Sequence, residues 1–180
     1  MKNMFSSRFI VRGLSVAVIT VVGIVGFASS ALAQMSVPAN LQAALFKKIF
    51  SYNKTLVGKG APKVLVVFTD ASSADKDEIL EAFKGAGVTV SAAKSDAAAG
   101  QISANNIVYI TTGASGISAA CSKAGVFTIS SVASYVEGGK VCVGVSTEGG
   151  KPKIIVNVNK AKEEGQDLSA DLLKIAKVIQ

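Results

Sequence analysis

Four short apolar runs, each closed off by polar or glycine-containing segments, constrain this chain more than any other feature. They are KVLVVFT at residues 63–69, VTVSAA at 88–93, NIVYITT at 106–112 and VFTIS at 126–130. KVLVVFT, apolar at successive positions between polar residues, suits a strand buried on both faces of a sheet, and the other three runs read as further short strands. The segments between them read as helices. Residues 75–83 place Ile79, Leu80 and Phe83 on one face before Gly85 and Gly87 end the helix. Residues 95–101 predict a weak, Ala-rich helix and residues 115–123 a short one. Strand–helix alternation of this kind predicts a parallel sheet with helices on its faces.

The pattern changes after residue 130. Residues 131–136 make one helical turn, stopped by Gly138 and Gly139, and KVCVGVS and KPKIIVNV then flank TEGG, which predicts a hairpin. Asn159 is placed to cap a following helix, and Asn157 to bridge backbone groups in a turn. A last helix starts near Ser169, with Leu168 and Leu173 as a hydrophobic staple and Leu172, Ile175, Ala176 and Ile179 as its buried face. Ahead of the first strand, Pro38 suits the start of a helix carrying Leu41, Ala44, Leu45, Ile49 and Tyr52 on one stripe. Phe46 and Phe50 widen that stripe and so predict a helix that packs against a second surface, a candidate interface. The expected fold is a single α/β domain: a mixed, mostly parallel sheet flanked by helices, with a C-terminal hairpin and helix.

The first 33 residues stand apart. Lys2, Arg8 and Arg12 precede an uncharged apolar stretch at residues 13–29, and Ala31, Leu32 and Ala33 give the small-x-small pattern of a cleavage site. This reads as a signal peptide cleaved before Gln34, so an exported, periplasmic domain over residues 34–180 is expected. An uncleaved anchor is the alternative, although the apolar stretch falls short of the ~20 residues that a spanning helix needs. The remaining 147 residues carry 16 lysines, no arginine and all 12 acids, a net charge of +4. The lysines are scattered and the bidentate phosphate ligand is missing, which argues against nucleic acid as a partner. An oxidising compartment would let Cys121 and Cys142 form a disulfide, worth about 3 kcal/mol in the loop-entropy account. The competing reading is two separately buried thiols, since Cys142 sits within VCVGV.

Chemistry is scarce. The chain has no histidine, which removes the usual base for a Ser or Cys nucleophile and the usual zinc ligand. Ser122 beside Lys123 offers the residue types of a Ser–Lys pair without a recognised context. The carboxylates Asp75, Asp77 and Glu78, and Glu163 and Glu164, fall on amphipathic helices where a solvated face accounts for them. Residues 58–63, GKGAPK, lack the spacing of a phosphate loop and precede a strand instead of following one. No enzyme, cofactor or metal is expected. A crevice at the carboxyl ends of the strands is the stronger local candidate. Asp70, Ser72 and Ser73 follow the first strand, and Thr111, Thr112 and Ser115 follow the third, a set able to hold a small polar or anionic group.

Several stretches together resemble the YfiR-like family of periplasmic proteins. They are VPANLQAALFKKIFSYNKTL at residues 37–56, KVLVVF, and above all the closing run. That run comprises the strand at residues 126–130, Tyr135 before Glu137, Gly138 and Gly139, a hairpin, Ile155 to Asn157 in the next strand, and residues 169–178. The resemblance implies a non-enzymatic regulator that binds the periplasmic domain of an inner-membrane sensor, a diguanylate cyclase, and holds it inactive. Its release would raise cyclic di-GMP and favour biofilm. The resemblance also implies a chain that acts through protein–protein surfaces and can form a homodimer.

Overall fold

A computed structural model describes residues 37–180; the expected signal peptide, residues 1–33, lies outside the described residues. Helix α1 (Ala39–Ser51) and the single turn α2 (Lys54–Val57) lead into strand β1 (Lys63–Phe68). Helix α3 (Ser73–Gly85), strand β2 (Thr89–Lys94), a 3-10 segment (Ala98–Ala104) and strand β3 (Ile107–Ile110) follow. Next come α4 (Ser118–Ala124), β4 (Phe127–Ser130), α5 (Ala133–Glu137), β5 (Val143–Glu148) and β6 (Lys151–Asn157). The chain closes with α6 (Val158–Glu163), α7 (Ala170–Ile175) and β7 (Lys177–Ile179).

The seven strands form one sheet in the order β2-β1-β3-β4-β5-β6-β7. Every neighbouring pair is parallel except β5–β6, the hairpin. Alternate residues of each buried strand serve opposite cores. Val64, Val66, Ile107, Tyr109, Phe127 and Ile129 face α1 and α3, while Leu65, Val67, Val108 and Ile110 face the 3-10 segment, α4 and α5. The chain therefore leaves β1 across one face and β3 across the other. Diverging connections of this kind open a crevice at the β1/β3 carboxyl ends, the usual ligand position in doubly wound sheets.

Five sequence expectations change. Phe46 and Phe50 are 0% and 3% exposed, stacked with Phe83 in the α1/α3 core, so they form no interface. Two apolar stripes overlap on α1, and the one carrying the aromatics turns inward because it buries more area; Leu41 is left 40% exposed. The last helix stops at Ile175, which is 56% exposed, and residues 177–179 become an edge strand parallel to β6. A six-residue helix has little stability of its own, whereas β-branched Val178 and Ile179 gain a ladder. The cap of α6 is Asn157 rather than Asn159: its Oδ1 accepts from Lys160 N–H (2.8 Å) while its Nδ2 donates to the Val136 carbonyl (2.9 Å). Finally, Cys121 and Cys142 are free thiols. Cys121 packs with Leu65 and Val108, and Cys142 with Phe127 and Val143, in clusters on opposite faces of the sheet. Burial pushes the Cys121 thiol up to about 12 and raises that of Cys142 as well, so both are inert packing groups. The Ala-rich segment forms the 3-10 element three residues later than the expected helix and buries Ala98 and Ile102.

Gly144 marks the closest approach of helix to sheet. A Cβ there would lie 2.6 Å from Val136 Cγ2 and 3.2 Å from the Ser130 carbonyl. Gly144→Ala is expected to cost about 1–3 kcal/mol through overpacking, read as a lower thermal midpoint. Adding Val136→Ala should make the pair less harmful than the sum of the two single changes.

Candidate functional site

The crevice at the β1/β3 switch point is closed by its own hydroxyl groups. Thr69 N–H donates to Ser72 Oγ (3.0 Å), and Ser72 Oγ lies 2.8 Å from Thr111 Oγ1, which donates to the Val67 carbonyl (3.0 Å). Ser72 and Thr111 are each 2% exposed. Gly113 N–H is taken by Tyr135 Oη at 2.7 Å. Asp70 turns outward to an exposed ion pair with Lys94 (2.5 Å), Ser73 begins α3, and Ser115 lines a different groove. Of the six expected crevice residues, Thr111 and Thr112 line the cleft that is present; Ser72 stands behind Thr111.

That cleft, ≈ 490 Å³, opens beside the switch point, over the carboxyl ends of β3 and β4. Tyr109 supplies its floor. The ring packs edge-on to Phe46 and Phe83, and the hydroxyl sits between Gln42 Oε1 (2.8 Å) and Ser131 Oγ (3.0 Å). Burial raises the Tyr109 phenol well above its ordinary value, which keeps it a neutral hydrogen-bonding group at any physiological pH. Gln42 is held in turn by its Nε2 donating to the Val37 carbonyl. The rim is charged. Asp75 and Glu78 project from the first turns of α3, and two ion pairs, Glu137–Lys177 (2.9 Å) and Glu148–Lys153 (3.6 Å), close the other side. Such a rim can hold a small polar or zwitterionic molecule by its charges while the apolar edge of Ile79 and Ile155 excludes water.

Sequence reasoning missed Gln42, Tyr109, Glu137 and Lys177. They come from four elements, and Lys177 reaches the cleft only because residues 177–179 form a strand. One signal was legible: a Tyr within an apolar strand carries a hydroxyl that must find a partner when buried. Glu164 was also misplaced. It is 1% exposed rather than solvated, and its carboxylate accepts from Thr128 N–H (3.0 Å) and Thr128 Oγ1 (2.6 Å). Burial raises its pKa to about 7 against the opposing effect of those bonds and of Lys160. Ser122 does meet a lysine, but it is Lys160 (2.6 Å), not Lys123.

Residues 39–177 match the YfiR/HmsC-like family, from the first residue of α1 to the first of β7. The chain belongs to that family. YfiR/HmsC-like proteins are periplasmic regulators, and no helix among the described residues is long and apolar enough to cross a membrane. No curated protein matches the chain. Among solved structures it is similar to a conserved domain protein from Vibrio cholerae O1 biovar El Tor, at 14% identity and a TM-score of 0.64, covering 82% of this chain and 61% of that one. An ABC domain in complex with L-Trp from Streptococcus pneumonia is 18% identical, with a TM-score of 0.58 and coverage of 79% and 62%. A substrate-binding protein with adhesive properties from Clostridium difficile, in its ligand-free, open form, is 14% identical, with a TM-score of 0.57 and coverage of 80% and 60%. The YfiR/HmsC-like chain thus spans about three-fifths of each of these structures, and at such identities the likeness is one of fold.

Proposed function

We propose that this protein is a non-enzymatic regulator, exported by cleavage of residues 1–33, that binds the periplasmic domain of an inner-membrane signalling protein and inhibits it. The target is a diguanylate cyclase, so the output is cyclic di-GMP and biofilm control. Family membership over nearly the whole folded domain is the observation that carries this reading. The internal chemistry is compatible with it: the chain has no histidine, and the buried Glu164 carboxylate is held by hydrogen bonds from Thr128. Deleting the gene in its native host should raise cellular cyclic di-GMP, and restoring it should bring the level back down. Levels that stay unchanged across growth conditions would remove the cyclase from this account.

A second reading has its own support. The polar cleft over Tyr109 has the size and rim of a small-molecule site, and similar folds include an L-Trp complex and a substrate-binding protein. On this reading the cleft takes a small polar ligand. A thermal-shift screen should then find a compound whose stabilisation grows with concentration, reaching about 2.7 kcal/mol at a hundred times Kd. Glu78→Ala should weaken that response.

A further inference from the structure

A second depression lies away from the cleft and shares no residue with it. It is a groove of ≈ 530 Å³ between α4 and α6, bordered by Ser115, Ser118, Ser122, Lys140, Lys160 and Glu163. Its central feature is Lys160, whose side chain is only 4% exposed. A buried ammonium is costly unless its charge and all three N–H donors are matched.

The partners present do not match it. Ser122 Oγ, at 2.6 Å, is neutral. Glu163 Oε2 lies at 3.4 Å, and the Glu163 side chain is 60% exposed, so solvent screens most of that attraction. Glu164, one turn along α6, has both oxygens committed to Thr128, and burial that raises its pKa to about 7 weakens it as a counter-charge. One N–H of Lys160 is thus left without a protein acceptor among the described residues. Lys140 adds a second cation at the groove edge, 5.9 Å from the Tyr135 ring centroid. The hydroxyl of Ser115 has no hydrogen-bond partner among the described residues and lines the same groove. Gly116 and Ala119 keep the floor free of bulky side chains.

The hydrogen bonds also define what the groove does not do. Ser122 lies within α4, with its Oγ directed to the Ser118 carbonyl (3.3 Å) while it accepts from Lys160. A serine oxygen that accepts from an ammonium is not being activated as a nucleophile. The arrangement is one for binding.

We infer that this groove binds a small oxyanion, of the size of phosphate, sulfate or a carboxylate, between the ammonium groups of Lys160 and Lys140, with the Ser115 hydroxyl as a further donor. Two cations against one exposed carboxylate set the sign of the ligand. Glu163 gives way at small cost, because its contact is long and its side chain already meets water. This site is independent of the regulatory reading and of the cleft.

Titration of the purified protein with inorganic phosphate tests it, with ionic strength held constant by chloride, followed by calorimetry and by amide chemical shifts. Saturable binding is expected, with shifts centred on residues 115–122 and 160–163. The substitutions Lys140→Ala and Ser115→Ala should together raise Kd by about tenfold or more, the factor that one charge-assisted hydrogen bond carries. Lys162→Ala, on the same helix outside the groove, should leave Kd unchanged. Lys160→Met should abolish binding, with circular dichroism confirming that it folds. The inference is overturned if phosphate, sulfate and acetate all fail to saturate. It is equally overturned if the Lys140→Ala/Ser115→Ala protein binds as tightly as the parent, because the stabilisation that such salts give any protein by surface exclusion is blind to these residues.

Discussion

Phe83→Ala should destabilise the protein by about 3–5 kcal/mol, the usual cost of emptying an aromatic site in a packed core. In a domain of this size that lowers the thermal midpoint by about 10 °C or more. Phe83 is fully buried on α3 and stacks with Phe46 and Phe50 of α1, both at 6.4 Å between centroids. It also meets Tyr109 of β3 edge-on at 6.1 Å, while Phe50 reaches Phe127 of β4 at 6.5 Å. One ring thus joins two helices to the centre of the sheet, and the cavity it would leave is walled by elements that cannot collapse together. Phe46→Ala should cost a similar amount, whereas Leu41→Ala, at 40% exposure, should cost less than about 1 kcal/mol. Denaturant titration of the three variants decides the question. A Phe46→Ala protein as stable as its parent would put the aromatic pair back on the surface and restore it as a docking site.

The same cluster shows what the sequence could and could not convey. The strands were legible because a run such as VLVV at residues 64–67 is apolar at every position, and only a sheet covered on both faces buries all four. The hairpin was legible from TEGG, whose two glycines sit at positive φ. Phe46 and Phe50 were not, because α1 carries two overlapping stripes, and periodicity alone does not say which one meets the sheet. The end of the chain was misread for a related reason. Residues 172–179 satisfy a helical period, but the open edge of β6 gives Val178 and Ile179 a ladder that a lone helical turn does not match. In the candidate site, the switch point could be located from the alternation of strands and helices. What was hidden is that Ser72, Thr111 and Thr69 satisfy one another, which moves the open cleft onto Tyr109 and a rim gathered from α1, α3, α5, the hairpin and β7.

Glu164 carries the second large effect, and its sign follows from burial. Its folded-state pKa is raised from 4.5 to about 7, so the folded protein binds a proton that the unfolded chain releases. That contribution to stability is fully present below pH 4.5 and is lost as the pH rises through 7. A shift of this size corresponds to roughly 3 kcal/mol. The groups that face the carboxyl are Thr128 of β4, which donates twice to the charged form, and on α6 Lys160, which favours ionisation, and Glu163, which opposes it. Desolvation outweighs them all. The protein should therefore be more stable at pH 5 than at pH 8. Glu164→Gln mimics the protonated acid in shape and hydrogen bonding, so its stability should be nearly flat across that window and should exceed the parent's at pH 8. The chain has no histidine, so no imidazole titrates between the two pH values to imitate the effect. Urea denaturation of both proteins at pH 5 and pH 8 reads it directly. Parallel slopes would mean that Glu164 is ionised at ordinary pH in the folded state, with Lys160 as its true counter-charge; divergent slopes assign the pH dependence to this one carboxyl.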